Sequence, residues 1–131
     1  MIIDTSAVLA ILRDEPEAAV YAEAIQHAGS RRMSAVSFVE AAAIIDGGGD
    51  PVASRGIDDL VDAARITIDP VTPAQARIAR AAFRDFGRGS GHPARLNFVD
   101  CFSYALAKAA GEPLLFKGKD FVHTDVEPAL P

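Results

Sequence analysis

Met1-Ile2-Ile3-Asp4-Thr5-Ser6-Ala7, running on through Val8-Leu9-Ala10-Ile11-Leu12, decides how the rest of the chain is read. Met1–Asp4 has the apolar run of a short buried strand, and an acid closes it. Thr5–Leu12 follows at once with a helical pattern, and Asp4 sits where an N-cap would. A strand that passes directly into a helix starts a β–α unit, and the chain repeats that alternation. Pro16–Ala28 reads as a helix with Pro16 at a first position. Arg32–Ala35 is a weak strand. Ser37–Asp46 reads as a helix stopped by Gly47-Gly48-Gly49. Ser54–Ala64 is a helix with Ile57, Leu60, Val61 and Ala64 on one face. Ile66–Asp69 is a strand. Thr72–Phe86 is a helix capped by Thr72, with Pro73 first. Gly87–Arg95 is a loop, Asn97–Ala110 a helix ended by Gly111, Leu114–Phe116 a strand, and Thr124–Val126 a short edge strand. Strands separated by helices predict an α/β domain: a three-layer α/β/α sandwich around a mostly parallel sheet of four to five strands.

Composition narrows the classes. The chain has 131 residues, which fits one domain spanning 1–131, and half of them are hydrophobic, which argues against a disordered chain. The only cysteine is Cys101, so no internal disulfide forms, and a reducing cytoplasm is the expected setting. No basic leader precedes Asp4, and the apolar run Ala7–Leu12 is too short to span a bilayer; a soluble, unexported protein is expected. The net charge of −5 argues against a non-specific nucleic-acid coat. It leaves a nuclease open, because metal sites concentrate carboxylates and a bound cation reverses the local field.

In parallel sheets, sites gather at the carboxyl ends of the strands. Four acids fall on that rim. Asp4 ends the first strand, Glu40 lies in the first turn of the helix after the second, Asp100 lies in the first turn of the helix at Asn97, and Asp120 follows the strand Leu114–Phe116. Crowded like charges are costly unless neutralised, and Mg²⁺ or Mn²⁺ neutralises them with oxygen ligation. Each acid also has a purely structural reading. Ser37-Phe38-Val39-Glu40 and Asn97-Phe98-Val99-Asp100 match capping boxes, Asp4 suits a cap, and Asp120 suits a turn. Four unrelated caps on one rim explain the pattern less well than one site.

These segments resemble the PIN-domain family, in particular VapC-type toxins. Met1–Ala7 looks like the family's opening strand, aspartate and Thr/Ser. Ser34-Ala35-Val36-Ser37-Phe38-Val39-Glu40 is similar to the stretch before its glutamate. Leu96-Asn97-Phe98-Val99-Asp100-Cys101, with Ser103-Tyr104-Ala105-Leu106-Ala107, looks like the third-acid segment. Leu114-Leu115-Phe116-Lys117-Gly118-Lys119-Asp120-Phe121 and Thr124-Asp125-Val126 resemble the family's tail. The resemblance implies an α/β/α sandwich and a toxin ribonuclease that depends on Mg²⁺ or Mn²⁺. It also implies an RNA substrate, a VapB-type antitoxin as partner and a homodimer. Asp4, Glu40, Asp100 and Asp120 are then the catalytic and metal-binding residues. Asp125 stands close enough to share or replace the role of Asp120, and Thr5 or Ser6 to position a water or the Asp4 carboxylate.

Other features carry less. Cys101 reads as a buried thiol, and His27, His92 and His123 lack zinc spacing and read as exposed. Arg84, Arg88, Arg95, Lys117 and Lys119 are the notable cations, the two lysines flanking the rim within reach of substrate phosphates. The stripe Ile78, Ala79, Ala82, Phe83 and Phe86 reads as core or dimer surface. Two rivals remain. A phosphoaspartate protein, a receiver or a phosphatase, has an early aspartate too; Asp69 would be the receiver's acceptor, but Ser6 stands where a phosphatase needs its second acid. A PIN-like module without catalysis is the other.

Overall fold

A computed structural model describes residues 1–131. Four strands, β1 (Ile2–Ile3), β2 (Arg32–Ser34), β3 (Thr67–Asp69) and β4 (Leu114–Leu115), form one sheet in the order β3-β2-β1-β4. Every pairing is parallel. Six α-helices flank it: α1 (Thr5–Leu12), α2 (Ala18–His27), α3 (Ala35–Asp46), α4 (Pro51–Ala63), α5 (Pro73–Phe86) and α6 (Asp100–Ala110). The expected three-layer α/β/α arrangement is the observed one.

Alternation along β1 explains the two cores. Successive strand residues face opposite sides of a sheet. Ile3 joins Val8, Leu9, Ile25, Met33, Ile57 and Ile66 under α1–α4, and Ile2 joins Leu96, Tyr104, Leu106 and Leu114 under α5 and α6. Both isoleucines are fully buried.

Several boundaries differ from the sequence reading. Helix α3 begins at Ala35, not Ser37, because Ser34 ends β2 in an extended conformation and its side chain accepts the Val36 amide at 3.3 Å. Helix α4 begins at Pro51, not Ser54; the Asp50 side chain caps it and Pro51 occupies the first turn. Helix α2 begins only at Ala18, so Pro16 lies in a turn before it, after Asp14 with φ 50°. Helix α6 proper starts at Asp100 rather than Asn97. No strand forms at Thr124–Val126. The tail meets the sheet later, through a bridge between Leu114 and Pro128, while Phe121–His123 form a short 3₁₀ turn.

Two glycines mark helix ends for different reasons. Gly111 closes α6 at φ 64°, a left-handed conformation that favours glycine. Gly87 closes α5 where a Cβ would meet the Phe83 carbonyl oxygen at 2.2 Å, so any side chain would displace the last helical turn. No helix is long and apolar enough to cross a membrane.

Candidate active site

Asp4 is the fixed point of the rim. It is 3% exposed, yet both of its carboxylate oxygens are hydrogen-bonded. Its Oδ2 accepts the Ser6 amide at 3.0 Å and the Ser6 hydroxyl at 2.6 Å; its Oδ1 accepts the Ser103 hydroxyl at 2.6 Å. Ser103 is in turn 2.8 Å from the Ser37 hydroxyl. Since Ser103 spends its proton on Asp4, Ser37 donates to Ser103. The buried Thr5 hydroxyl donates to the Ser37 carbonyl at 3.0 Å, tying α1 to α3. The Lys117 amide donates to Ser6 Oγ at 2.9 Å, tying the exit of β4 to the exit of β1. One carboxylate is therefore held by hydroxyls from two helices, with a third helix and a strand exit behind them. A buried charge persists only with such support.

Asp4 also caps α1 through the Ser6 amide. Asp100 likewise has a structural bond: the Asn97 amide donates to its Oδ2 at 2.9 Å, while its own amide donates to Asn97 Oδ1 at 2.7 Å. That is the reciprocal box expected from sequence. Capping and charge crowding coexist here. Burial first of all pushes the Asp100 carboxyl up to about 7, and Asp4, Asp120 and Glu40 push it in the same direction, against the pull of the Asn97 amide. Glu40 is also raised, above all by burial and further by Asp4, with Thr5 beside it opposing the shift. Glu40 lies in the second turn of α3 rather than the first, and it is not the partner of a box with Ser37, because the helix starts two residues earlier and Ser37 is buried inside it. Asp120 is exposed, at the start of the 3₁₀ turn, and acts on Asp100 through space.

The four acids thus share one electrostatic neighbourhood. No three His, Cys, Asp or Glu side chains close tightly enough to cage an ion unaided. An all-oxygen acid set that leaves room for water suits Mg²⁺ or Mn²⁺, which bind through one or two carboxylates and keep several waters. It does not suit zinc, which wants a closed nitrogen and sulfur shell.

Asp125 is elsewhere. The Tyr104 hydroxyl donates to it at 2.6 Å and Lys108 Nζ at 2.9 Å, and those two bonds hold its carboxyl below the ordinary range. It clasps the tail to α6. Lys117 Nζ is taken by Glu15 at 2.6 Å and Glu17 at 3.0 Å rather than left free for phosphates. Asp69 bonds Arg32 Nε at 2.6 Å, which removes the acceptor a receiver would need. The Cys101 thiol is buried, with its pKa pushed up to about 11 by burial, and is no nucleophile. His27 and His123 are exposed; His92 instead packs edge-on against Phe86 and accepts the Ala94 amide at 3.1 Å. Ser103 is the site residue that sequence reading missed. Its signal was a hydroxyl three residues after Asp100, on the same face of the helix and among buried neighbours.

Comparison with known proteins shows the family and the fold. A family model described as the PIN domain matches residues 1–127. Ribonuclease VapC28 of Mycobacterium tuberculosis is 58% identical over 130 residues, covering 99% of this chain and 98% of that protein. Ribonuclease VapC42 of the same organism is 52% identical over 129 residues, covering 98% of each. Among solved structures, VapC20 of M. tuberculosis, a sarcin–ricin loop cleaving toxin, superposes with a TM-score of 0.71 at 16% identity, covering 97% of this chain and 98% of that one. A toxin–antitoxin complex from Klebsiella pneumoniae gives 0.69 at 16% identity, over 92% and 88%. The chain belongs to the PIN-domain family. The relatives it is most readily compared with there are VapC ribonucleases.

Proposed function

We propose that the chain, acting as one PIN domain over residues 1–131, is a metal-dependent endoribonuclease and the toxin of a type II toxin–antitoxin pair in the cytoplasm. The observation that carries this reading is the placement of Asp4 and Asp100, each held by hydrogen bonds at the strand-exit rim, with Asp120 and Glu40 near enough to push the Asp100 carboxyl up further than burial alone does. Charge accumulated at a strand-exit rim serves a cation better than it serves stability. The VapC names of relatives at 46–58% identity support RNA as substrate.

In this reading Asp4, Asp100, Glu40 and Asp120 hold Mg²⁺ or Mn²⁺ directly or through water. The bound metal would supply an activated water and neutralise charge on an RNA phosphodiester. The chain's part is orientation. Ser6 and Ser103 fix both oxygens of Asp4, and the Asn97 amide fixes one oxygen of Asp100 and leaves the other free. No side chain serves as a covalent nucleophile. A VapB-type antitoxin is the expected partner, an arginine of it meeting the acids, and a homodimer the expected assembly.

The test is cleavage of RNA by purified protein. Activity should need Mg²⁺ or Mn²⁺ and vanish in excess chelator. Asp4→Asn should abolish it while the protein stays folded. Cleavage that persists in chelator would overturn the metal mechanism.

A further inference from the structure

An acidic protein with an acidic rim repels RNA, so attraction must come from elsewhere. The cations are unevenly spread. Between Pro73 and Leu96 stand five arginines, Arg77, Arg80, Arg84, Arg88 and Arg95, and one acid, Asp85. All five arginines are exposed. Arg77, Arg80 and Arg84 share one face of α5 by their spacing. Arg84 is drawn onto Asp85 at 2.8 Å; the other four make no ion pair.

Beside this face lies an open hollow of about 230 Å³, lined by Arg80, Phe83, Phe98 and Phe102 over Ala79. Phe98 is 64% exposed and Phe83 40%. The Phe98 ring meets Phe83 edge-on at 6.3 Å and Phe102 at 5.3 Å. It is an aromatic ring braced by two others with most of its own surface open. Phe98 also stands two residues before Asp100, and Val99 between them lines a cleft with Glu40 and Val39. One turn of chain therefore joins the hollow to the acids.

We propose that this hollow and the arginine face form a single-stranded RNA track. Phe98 stacks on a base, Arg77 and Arg80 hold the flanking phosphates, and the strand is led to the carboxylate rim. The proposal rests on the ribonuclease reading of that rim. Arginines beside a stacking platform are the means by which proteins hold single strands. A second copy of the chain fits the face poorly, because a two-fold contact would set unpaired arginines against their own copies.

The test measures binding of a fluorescein-labelled single-stranded RNA dodecamer by anisotropy in excess chelator, where cleavage is silent. Sedimentation and melting of each variant accompany it. Phe98→Ala should weaken binding about tenfold or more, and Phe98→Trp should bind like the parent, the scale of one base stacked on an aromatic ring. Arg77→Ala with Arg80→Ala should weaken binding and lower the salt slope by about 1.4, at roughly 0.7 per charge removed on a single strand. Asp4→Asn, which tests the rim, should bind RNA as well as the parent or better. Failure of the rim reading would show as cleavage by Asp4→Asn in a separate assay with Mg²⁺ restored, and failure of the track as binding that ignores Phe98. Unchanged affinity in folded Phe98→Ala or in the arginine variant overturns the proposal. So does a drop from dimer to monomer in Phe98→Ala, which would make the hollow a self-association face.

Discussion

Asp100 and Asp125 are two aspartates attached to the same helix in opposite ways. Asp100 begins α6 and faces other acids; its carboxyl is pushed up to about 7. Asp125 lies in the tail, against the same helix, and faces a phenol and an ammonium; its carboxyl is pulled down. Both make hydrogen bonds shorter than 3 Å. Bonding alone therefore does not separate a structural acid from a functional one. What separates them is the sign of the surrounding charge. A clasp is surrounded by its opposites. A cation site is surrounded by its like and is at ease only when something else arrives.

The largest effect that would break this contrast is catalytic. Asp4→Asn should lower RNA cleavage by about 100-fold, the upper end of what loss of even a metal ligand's support costs, whereas Asp125→Asn should leave it within about twofold. Comparable losses in both would merge the two regions into one site and bring Asp125 back as a fourth acid.

The next effect is thermodynamic. Mg²⁺ at about 100 times its dissociation constant should stabilise the parent by about 2.7 kcal/mol through mass action. Asp100→Asn should gain much less and Asp125→Asn as much as the parent. Denaturant unfolding in chelator and in Mg²⁺ measures all three. An undiminished gain in Asp100→Asn would remove that residue from the site.

A smaller effect concerns pH in chelator. The folded pKa of Asp100 lies above its ordinary value, so between about pH 4 and 7 the folded chain binds more protons than the unfolded one. Asp100 therefore contributes a loss of stability as pH rises through that window. Asp100→Asn should flatten this part of the profile and be more stable than the parent by about 1 kcal/mol at pH 8, because it relieves a buried charge among acids. A less stable variant with an unaltered profile would reduce Asp100 to a helix cap.

Much of this was readable in advance where the cause is local. The strand–acid–helix of Met1–Leu12, the Thr72-Pro73 start of α5 and the Gly111 stop of α6 depend on neighbouring residues alone, and they stand where sequence puts them. The Ser34/Ser37 choice was not local. Both serines suit a cap, and Ser37 is withdrawn from that role by Ser103, 66 residues away. A longer separation, 99 residues, hid Ser103 as a brace for Asp4. Lys117 looked free because its captors, Glu15 and Glu17, lie about a hundred residues before it. The four acids were legible as residues. Their crowding, which gives them meaning, needed the fold.

The smallest effect sharpens the clasp. Tyr104 is 7% exposed and donates to Asp125 at 2.6 Å. Tyr104→Phe keeps the ring packed on Phe86, 5.6 Å away, and removes only the hydroxyl. Asp125 is itself largely exposed, so water and Lys108 satisfy the oxygen that is released. The cost should therefore be that of one net hydrogen bond, about 1 kcal/mol, with RNA cleavage unchanged. The sign of its pH dependence is the opposite of that for Asp100. A carboxyl lowered by folding contributes stability above its ordinary pKa and loses it as pH falls through the folded value. The difference between Tyr104→Phe and the parent should thus be full at pH 6 and shrink below about pH 4. Urea unfolding across that range measures it. A difference that instead grows with acid would mean that Asp125 is not charged in the clasp, and the opposition between the two ends of α6 would fail.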